Sequence, residues 1–178
     1  GARGIDADAI RMPDDLAELP VLTKENYVQA YPLAERCRGG GLGSCDMIAV
    51  SSGSTGEPTV WPRFLTDELA VALRFEQVFR EAFDADRRRT LAVVCFPLGT
   101  WVGGMFTASC CRHLAVKGYP LTVVTPGNNK AEIFRAVRSL APMFEQTVLL
   151  GYPPFLKDVV DAGTADGVRW REHGMKLV

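Results

Sequence analysis

Apolar residues along this chain fall into short runs with at most one charge each, separated by longer stretches in which they recur every three or four positions. The runs predict strands at 47–51, 60–64, 90–96, 121–125, 146–151 and 175–178. The run 90–96 is β-branched and aromatic, the composition of a strand covered on both faces. Between the runs, Val71, Phe75, Val78, Phe79, Ala82 and Phe83 recur at helical steps. They predict one apolar face on a helix running from a Thr66 cap to about residue 84. A second helix, wholly apolar over most of its length, is predicted from Trp101 to Lys117 and closed by Gly118. Asn129 with Glu132 three residues on predicts a capping-box start for a third, to about residue 140. Pro153 and Pro154 suit the first turn of a fourth, because that turn needs no donor from them.

Strand and helix therefore alternate at least three times with short connections. That pattern predicts an α/β fold, a mostly parallel sheet flanked by helices. Residues 1–46 lack such periodicity and carry Pro13, Pro20, Pro32 and the glycine group 39–43. They read as an irregular arm with one short helix near 24–29, leaving 47–178 as the α/β subdomain. The last strand stops abruptly at Val178, so the chain is expected to be truncated at its C-terminal side.

Composition narrows the picture. At 178 residues and 47% hydrophobic, the chain can build a real core. A net charge of −1 gives no basic surplus to draw it onto nucleic acid or an anionic membrane. The triplet Arg87-Arg88-Arg89 follows a helical pattern and reads as a solvated helix end. No apolar stretch reaches the ~18–20 residues of a membrane span. Five cysteines, three inside core-like segments, point to reduced thiols and a cytoplasmic setting. Cys37 and Cys45 have no CxxC pair or nearby histidine, so no metal site is assigned.

The candidate chemistry lies in Ser51-Ser52-Gly53-Ser54-Thr55-Gly56-Glu57-Pro58-Thr59, entered from the apolar run 47–50. Hydroxyls and backbone N–H groups with few obstructing side chains form a surface suited to phosphate oxygens. No GKS or GKT follows, so it is not a Walker A loop. The order does follow, position by position, the [ST]SG[ST]TGxPK motif of the acyl-adenylating enzymes. That superfamily comprises acyl-CoA synthetases, luciferases and peptide-synthetase adenylation domains. With Thr59 in place of the usual lysine, the loop resembles the phenylacetate–CoA ligase branch. The segment Leu19-Pro20-Val21-Leu22-Thr23-Lys24-Glu25 with Tyr31-Pro32 is similar to that branch's LPxTTKxDL…YP. Phe96–Gly104 lies where the family has its glycine-rich acyl-pocket segment, and Gly151–Leu156 is similar to its later P-x-x-L helix start.

The resemblance implies the N-terminal subdomain of the acyl-adenylating ligase fold. It implies a reaction in which a small-molecule carboxylate and ATP give an acyl-adenylate and pyrophosphate. The acyl group then passes to a thiol such as CoA, with Mg2+ as the metal partner of ATP. Ser51, Ser52, Ser54 and Thr55 are assigned to phosphate contact, with Gly53 and Gly56 permitting the turn. Glu57 would repel polyphosphate, so it is expected to point away or to act near the metal ion. Pro58 is expected to fix the loop exit. Trp101, Gly103, Gly104 and Tyr152 are the acyl-pocket candidates, although Trp101 and Met105 on an apolar helix read equally as core. His113 and His173 show no catalytic partner. The family's adenine, ribose and catalytic-lysine motifs do not occur in these residues, so the isolated chain is expected not to adenylate. The other reading is a catalytically silent truncated relative acting as a nucleotide-binding or interaction module. An unrelated flavodoxin-like fold holding a flavin phosphate does not account for the SSGSTGxP order. A homodimer is a further expectation.

Overall fold

The computed structural model describes residues 6–37, 40–43, 45–51 and 58–178. The chain divides into two units, 1–43 and 44–178. The first carries 3-10 turns at Ala7–Ala9 and Pro13–Glu18, a π turn at Lys24–Val28 and one helical turn, α1 (Leu33–Arg36). Thr23 caps the π turn: its hydroxyl accepts from Asn26 N at 3.2 Å, and Thr23 N donates to Asn26 Oδ1 at 2.9 Å.

The second unit holds β1 (Met47–Val50), β2 (Val60–Arg63), α2 (Leu65–Phe83), β3 (Thr90–Val94), α3 (Val102–Val116) and β4 (Leu121–Val124). It continues with α4 (Lys130–Leu140), β5 (Gln146–Leu150), α5 (Pro153–Ala165) and β6 (Met175–Leu177). Four strands form one sheet in the order β4-β3-β5-β6, and every neighbouring pair is parallel. The α/β fold expected from the alternating pattern is the fold observed.

Alternation along the central strands assigns the helices to faces. Leu91, Val93, Cys95 and Leu149 point to one face and bury Ile133 and Val137 of α4 with Leu156 and Val159 of α5. Ala92, Val148 and Leu150 point to the other, against Phe79 and Phe83 of α2 and Cys111 and Leu114 of α3. This division follows from chain direction. The step from β3 to β4 runs one way across the sheet, and the steps to β5 and β6 run the other. Right-handed crossovers therefore place α3 on one face and α4 and α5 on the opposite one.

Three sequence expectations change. First, β1 and β2 pair antiparallel with each other, outside the parallel sheet, with Val50 opposite Val60. Second, α2 starts at Leu65 with Phe64 at its N-cap, so Thr66 lies inside the first turn. Asp46 supplies the cap instead, its carboxylate accepting from Leu65 N at 2.8 Å. Third, the buried residues of α2 are Ala72, Phe79 and Phe83, whereas Val71 and Val78 are 50% and 44% exposed. The apolar stripe is wider than the face that packs, and the sheet takes only one side of it. Gln146 ties this layer to the sheet: its Nε2 donates to Phe83 O at 2.7 Å and to Thr90 Oγ1 at 2.8 Å.

Candidate functional site

The strand order locates a crevice. The loop leaving β3 turns to one face and the loop leaving the adjacent β5 turns to the other, which opens a gap at their carboxyl ends. The β3 exit is Cys95–Trp101, and the β5 exit is Gly151-Tyr152. Cys95 N donates to Leu150 O at 2.7 Å and Gly127 N, beyond β4, donates to Val94 O at 3.2 Å. On the far side Gly151 N donates to Val178 O at 3.0 Å. The exits of all four strands thus converge on one end of the sheet.

Glycines set how closely these exits pack. A Cβ on Gly104 would lie 2.3 Å from the Pro97 carbonyl oxygen, so the first turn of α3 sits directly against the β3 exit. A Cβ on Gly151 would lie 2.8 Å from Leu156 Cδ2 and 3.2 Å from Cys95 Cβ. Gly103 is different: its Cβ would meet Phe96 Cδ1 at 3.4 Å, an ordinary contact. Close approach thus explains two of the four glycines in the acyl-pocket and helix-start segments, Gly104 and Gly151.

The hairpin brings the neck of the hydroxyl loop, Ser51 and Thr59, to this end. Val50 N donates to Thr100 O at 2.9 Å, and Val50 bridges Trp101 in parallel fashion. Behind it, Arg63 of β2 pairs with Glu68 at 3.1 Å and lies 5.5 Å over the Phe106 ring. The loop neck is closed twice: Ser51 N donates to Thr59 O at 2.9 Å, and Thr59 N donates to Ser51 Oγ at 2.9 Å. Ser51 was assigned to phosphate contact; its acceptor capacity here serves the neck, while its O–H remains a donor. Ser52, Gly53, Ser54, Thr55, Gly56 and Glu57 lie outside the described residues. Pro58 is exposed at the loop exit, next to buried Thr59.

No described side chain caps α3, whose N-cap is Trp101. A fifteen-residue helix therefore presents first-turn N–H groups and the positive end of its dipole beside the loop neck. That donor set fits a phosphate group. Trp101 and Tyr152 are 39% and 64% exposed, so neither is core. Met105 is likewise 40% exposed, because it lies on the outer side of α3. Acid–base chemistry is scarce among the strand exits. Cys95 is fully buried, and burial pushes its thiol up to about 12, keeping it protonated. His113 and His173, half-buried, lie on α3 and in the turn Trp170–His173. The arrangement can bind an anion and orient a flat or apolar group; it does not by itself move protons.

Thr59, Leu98 and Gly127 carry contacts at the site to which the sequence assigned no role. Leu98 packs beside both Gly104 and Gly127, with a Gly127 Cβ falling 3.6 Å from Leu98 Cγ. The signal available for Gly127 was the Pro126-Gly127-Asn128 turn, whose glycine takes φ +67°. Nothing in the sequence marked Thr59 as the partner of Ser51. Among the described residues, clefts of about 400 Å3 and 360 Å3 lie between the β4 exit and α4 and between α5 and β6, and one of about 270 Å3 lies between α2 and α3. Among the described residues no group of three histidine, cysteine, aspartate or glutamate side chains could hold a metal ion. All five cysteines are free thiols. No described helix is long and apolar enough to cross a membrane.

No family model matches the sequence, and no curated protein matches it. Among solved structures, the chain is similar to an open conformation of 2-hydroxyisobutyryl-CoA ligase, in complex with 2-HIB-AMP and CoA. The TM-score is 0.72 with 16% identity, over 99% of this chain and 37% of that one. The chain thus shares its fold with part of an acyl-CoA ligase and spans well under half of that ligase's length.

Proposed function

We propose that this chain is the phosphate-holding part of an AMP-forming ligase that activates a carboxylic acid with ATP and passes the acyl group to a thiol such as CoA. The observation that carries the reading is the junction of the loop neck with the uncapped N-terminus of α3, through Val50, Thr100 and Trp101. It lies at the end of a parallel sheet where ligands of such folds bind.

ATP supplies the electrophilic phosphorus and a pyrophosphate leaving group. Charge that develops on that leaving group is stabilised by donors held in place beforehand, without reorganisation during the step. The neck pair Ser51 and Thr59 anchors the hydroxyl loop, and Ser52, Ser54 and Thr55 donate from it. The α3 amides add a fixed positive field. Trp101, Gly103, Gly104 and Tyr152 border the carboxylate's apolar body: the glycines keep the floor low, and the exposed rings form a wall. Mg2+, CoA and the phenylacetate–CoA ligase branch rest on the sequence motifs 51–59 and 19–32. A cytoplasmic setting rests on the reduced thiols.

In the whole protein, Ser54→Ala and Gly53→Val each lower carboxylate-dependent adenylation strongly and leave the circular dichroism spectrum unchanged. Removing one preorganised donor costs roughly 10²–10³ in rate in comparable oxyanion sites. Adenylation unchanged in both variants would remove the loop from the mechanism. The isolated 178 residues give no ATP–pyrophosphate exchange, because the expected adenine, ribose and lysine groups are not among them.

A further inference from the structure

The cleft between α2 and α3 has a composition that the crevice does not use. Leu65, Leu69, Ala72 and Val116 line it, with Arg112 and His113 along one wall, and its volume is about 270 Å3. Leu65, Leu69 and Val116 are 54%, 42% and 86% exposed, so apolar surface is left open to water. Among the described residues, the side chains of Arg112 and His113 form no ion pair or hydrogen bond. The one carboxylate in the lining, Glu68, is occupied by Arg63 at 3.1 Å. An open apolar trough with an unpaired guanidinium and a neutralised acid is complementary to a molecule with an apolar body and a negative head.

We propose that this cleft binds a small amphipathic carboxylate, its tail along Leu65, Leu69 and Val116 and its head on Arg112. The site is separate from the crevice and does not depend on the ligase reading. A cleft of this volume lies just below the usual range of ~300–1,000 Å3 for ligand pockets, which sets the ligand at a medium-chain or single-ring acid. The Cys110 thiol in the lining is pushed up to about 11, first by burial and then by Glu68, so it stays neutral and does not oppose an anion. Arginine suits this role because its fork matches a carboxylate and never loses its charge.

The probe is octanoate, titrated into the 178-residue chain and followed by methyl chemical shifts of the leucines and valines. The shifts of Leu65, Leu69 and Val116 move together and saturate, with a dissociation constant on the order of 0.1–1 mM, as befits a ten-atom ligand. Arg112→Gln weakens binding about tenfold, the loss of one charge-assisted contact. Ser109→Phe, at an exposed position in the lining, fills the cleft and abolishes it. Octylamine and 1-octanol bind at least about tenfold more weakly than octanoate. Equal binding of octanol or octylamine overturns the proposal, as do shifts confined to the Trp101 and Tyr152 end. No shift up to about 10 mM, well above the expected constant, overturns it as well.

Discussion

Two adjacent glycines at the start of α3 should respond oppositely to the same methyl group. In Gly104→Ala the new Cβ would stand 2.3 Å from the Pro97 carbonyl oxygen and 3.0 Å from Leu98 Cδ2. A carbon–oxygen contact settles near about 3.3 Å, so the first turn of α3 must retreat from the β3 exit by ~1 Å. The obstacle is backbone, and no rotamer change relieves it. Overpacking of this kind costs about 1–3 kcal/mol, against at most ~1 kcal/mol gained from alanine's helix propensity. A rigid clash this short belongs at the upper end, so the net loss is about 2 kcal/mol, or a melting temperature lower by about 4–8 °C for a chain of this size. Gly103→Ala meets only the Phe96 ring at 3.4 Å, so it should be neutral or slightly stabilising. Thermal and urea unfolding of both variants reads the difference directly. Because Thr100 sits just before this turn, Gly104→Ala should also reduce exchange protection of the Val50 amide. Equal stability of the two variants, or a destabilised Gly103→Ala, would show that close approach at Gly104 does not organise the site.

Other positions give independent checks. Ser51→Ala removes the acceptor for Thr59 N, and a largely buried N–H left unpaired costs about 1–3 kcal/mol; the Thr59 amide should lose hydrogen-exchange protection. Gln146→Leu strips the Phe83 carbonyl and Thr90 hydroxyl of their shared donor, and urea unfolding should show a loss of about 2 kcal/mol with unchanged m. Burial raises the Cys95 and Cys111 thiols from 9.0 to about 12. Their stabilising contribution is full below pH 9, where folded and unfolded states both hold the proton. Above it the unfolded state loses protons first, so stability falls as pH rises from 9 towards 12. The slope is up to about 1.4 kcal/mol per pH unit for each thiol, and Cys95→Ala with Cys111→Ala should flatten it in alkaline unfolding curves. In native protein at about pH 8, these two thiols should resist a thiol-directed reagent that reacts after denaturation.

The central strands were legible because burial on both faces leaves a continuous apolar run, as in Leu91–Cys95 and Thr147–Leu150. The layer assignment of the helices followed once chain direction was known, but strand order itself is a non-local pairing that no local pattern encodes. For the same reason the sequence could not place β1 and β2 outside the parallel sheet: Met47–Val50 has the apolar content of a sheet strand but pairs with β2. The stripe on α2 was readable as apolar, yet which half packs depends on where the sheet lies beneath it. At the site, the close-packed role of Gly104 and Gly151 became visible only with the carbonyl of Pro97 and the side chain of Leu156 in place. The Ser51–Thr59 clasp is a contact across eight residues between two hydroxyl residues, indistinguishable by sequence from their neighbours in the loop. For the loop itself the order of its residues, Ser51 to Pro58, carries the reading.

The central claim, that the loop and the α3 N-terminus hold ATP phosphates during acyl activation, is tested most directly by ATP–pyrophosphate exchange. The whole protein would be assayed against a panel of aromatic and aliphatic carboxylic acids, with and without Ser54→Ala. The expected exchange requires one class of acid and falls at least about a hundredfold in the variant. Exchange that is absent with every acid, or equal in wild type and variant, would contradict it.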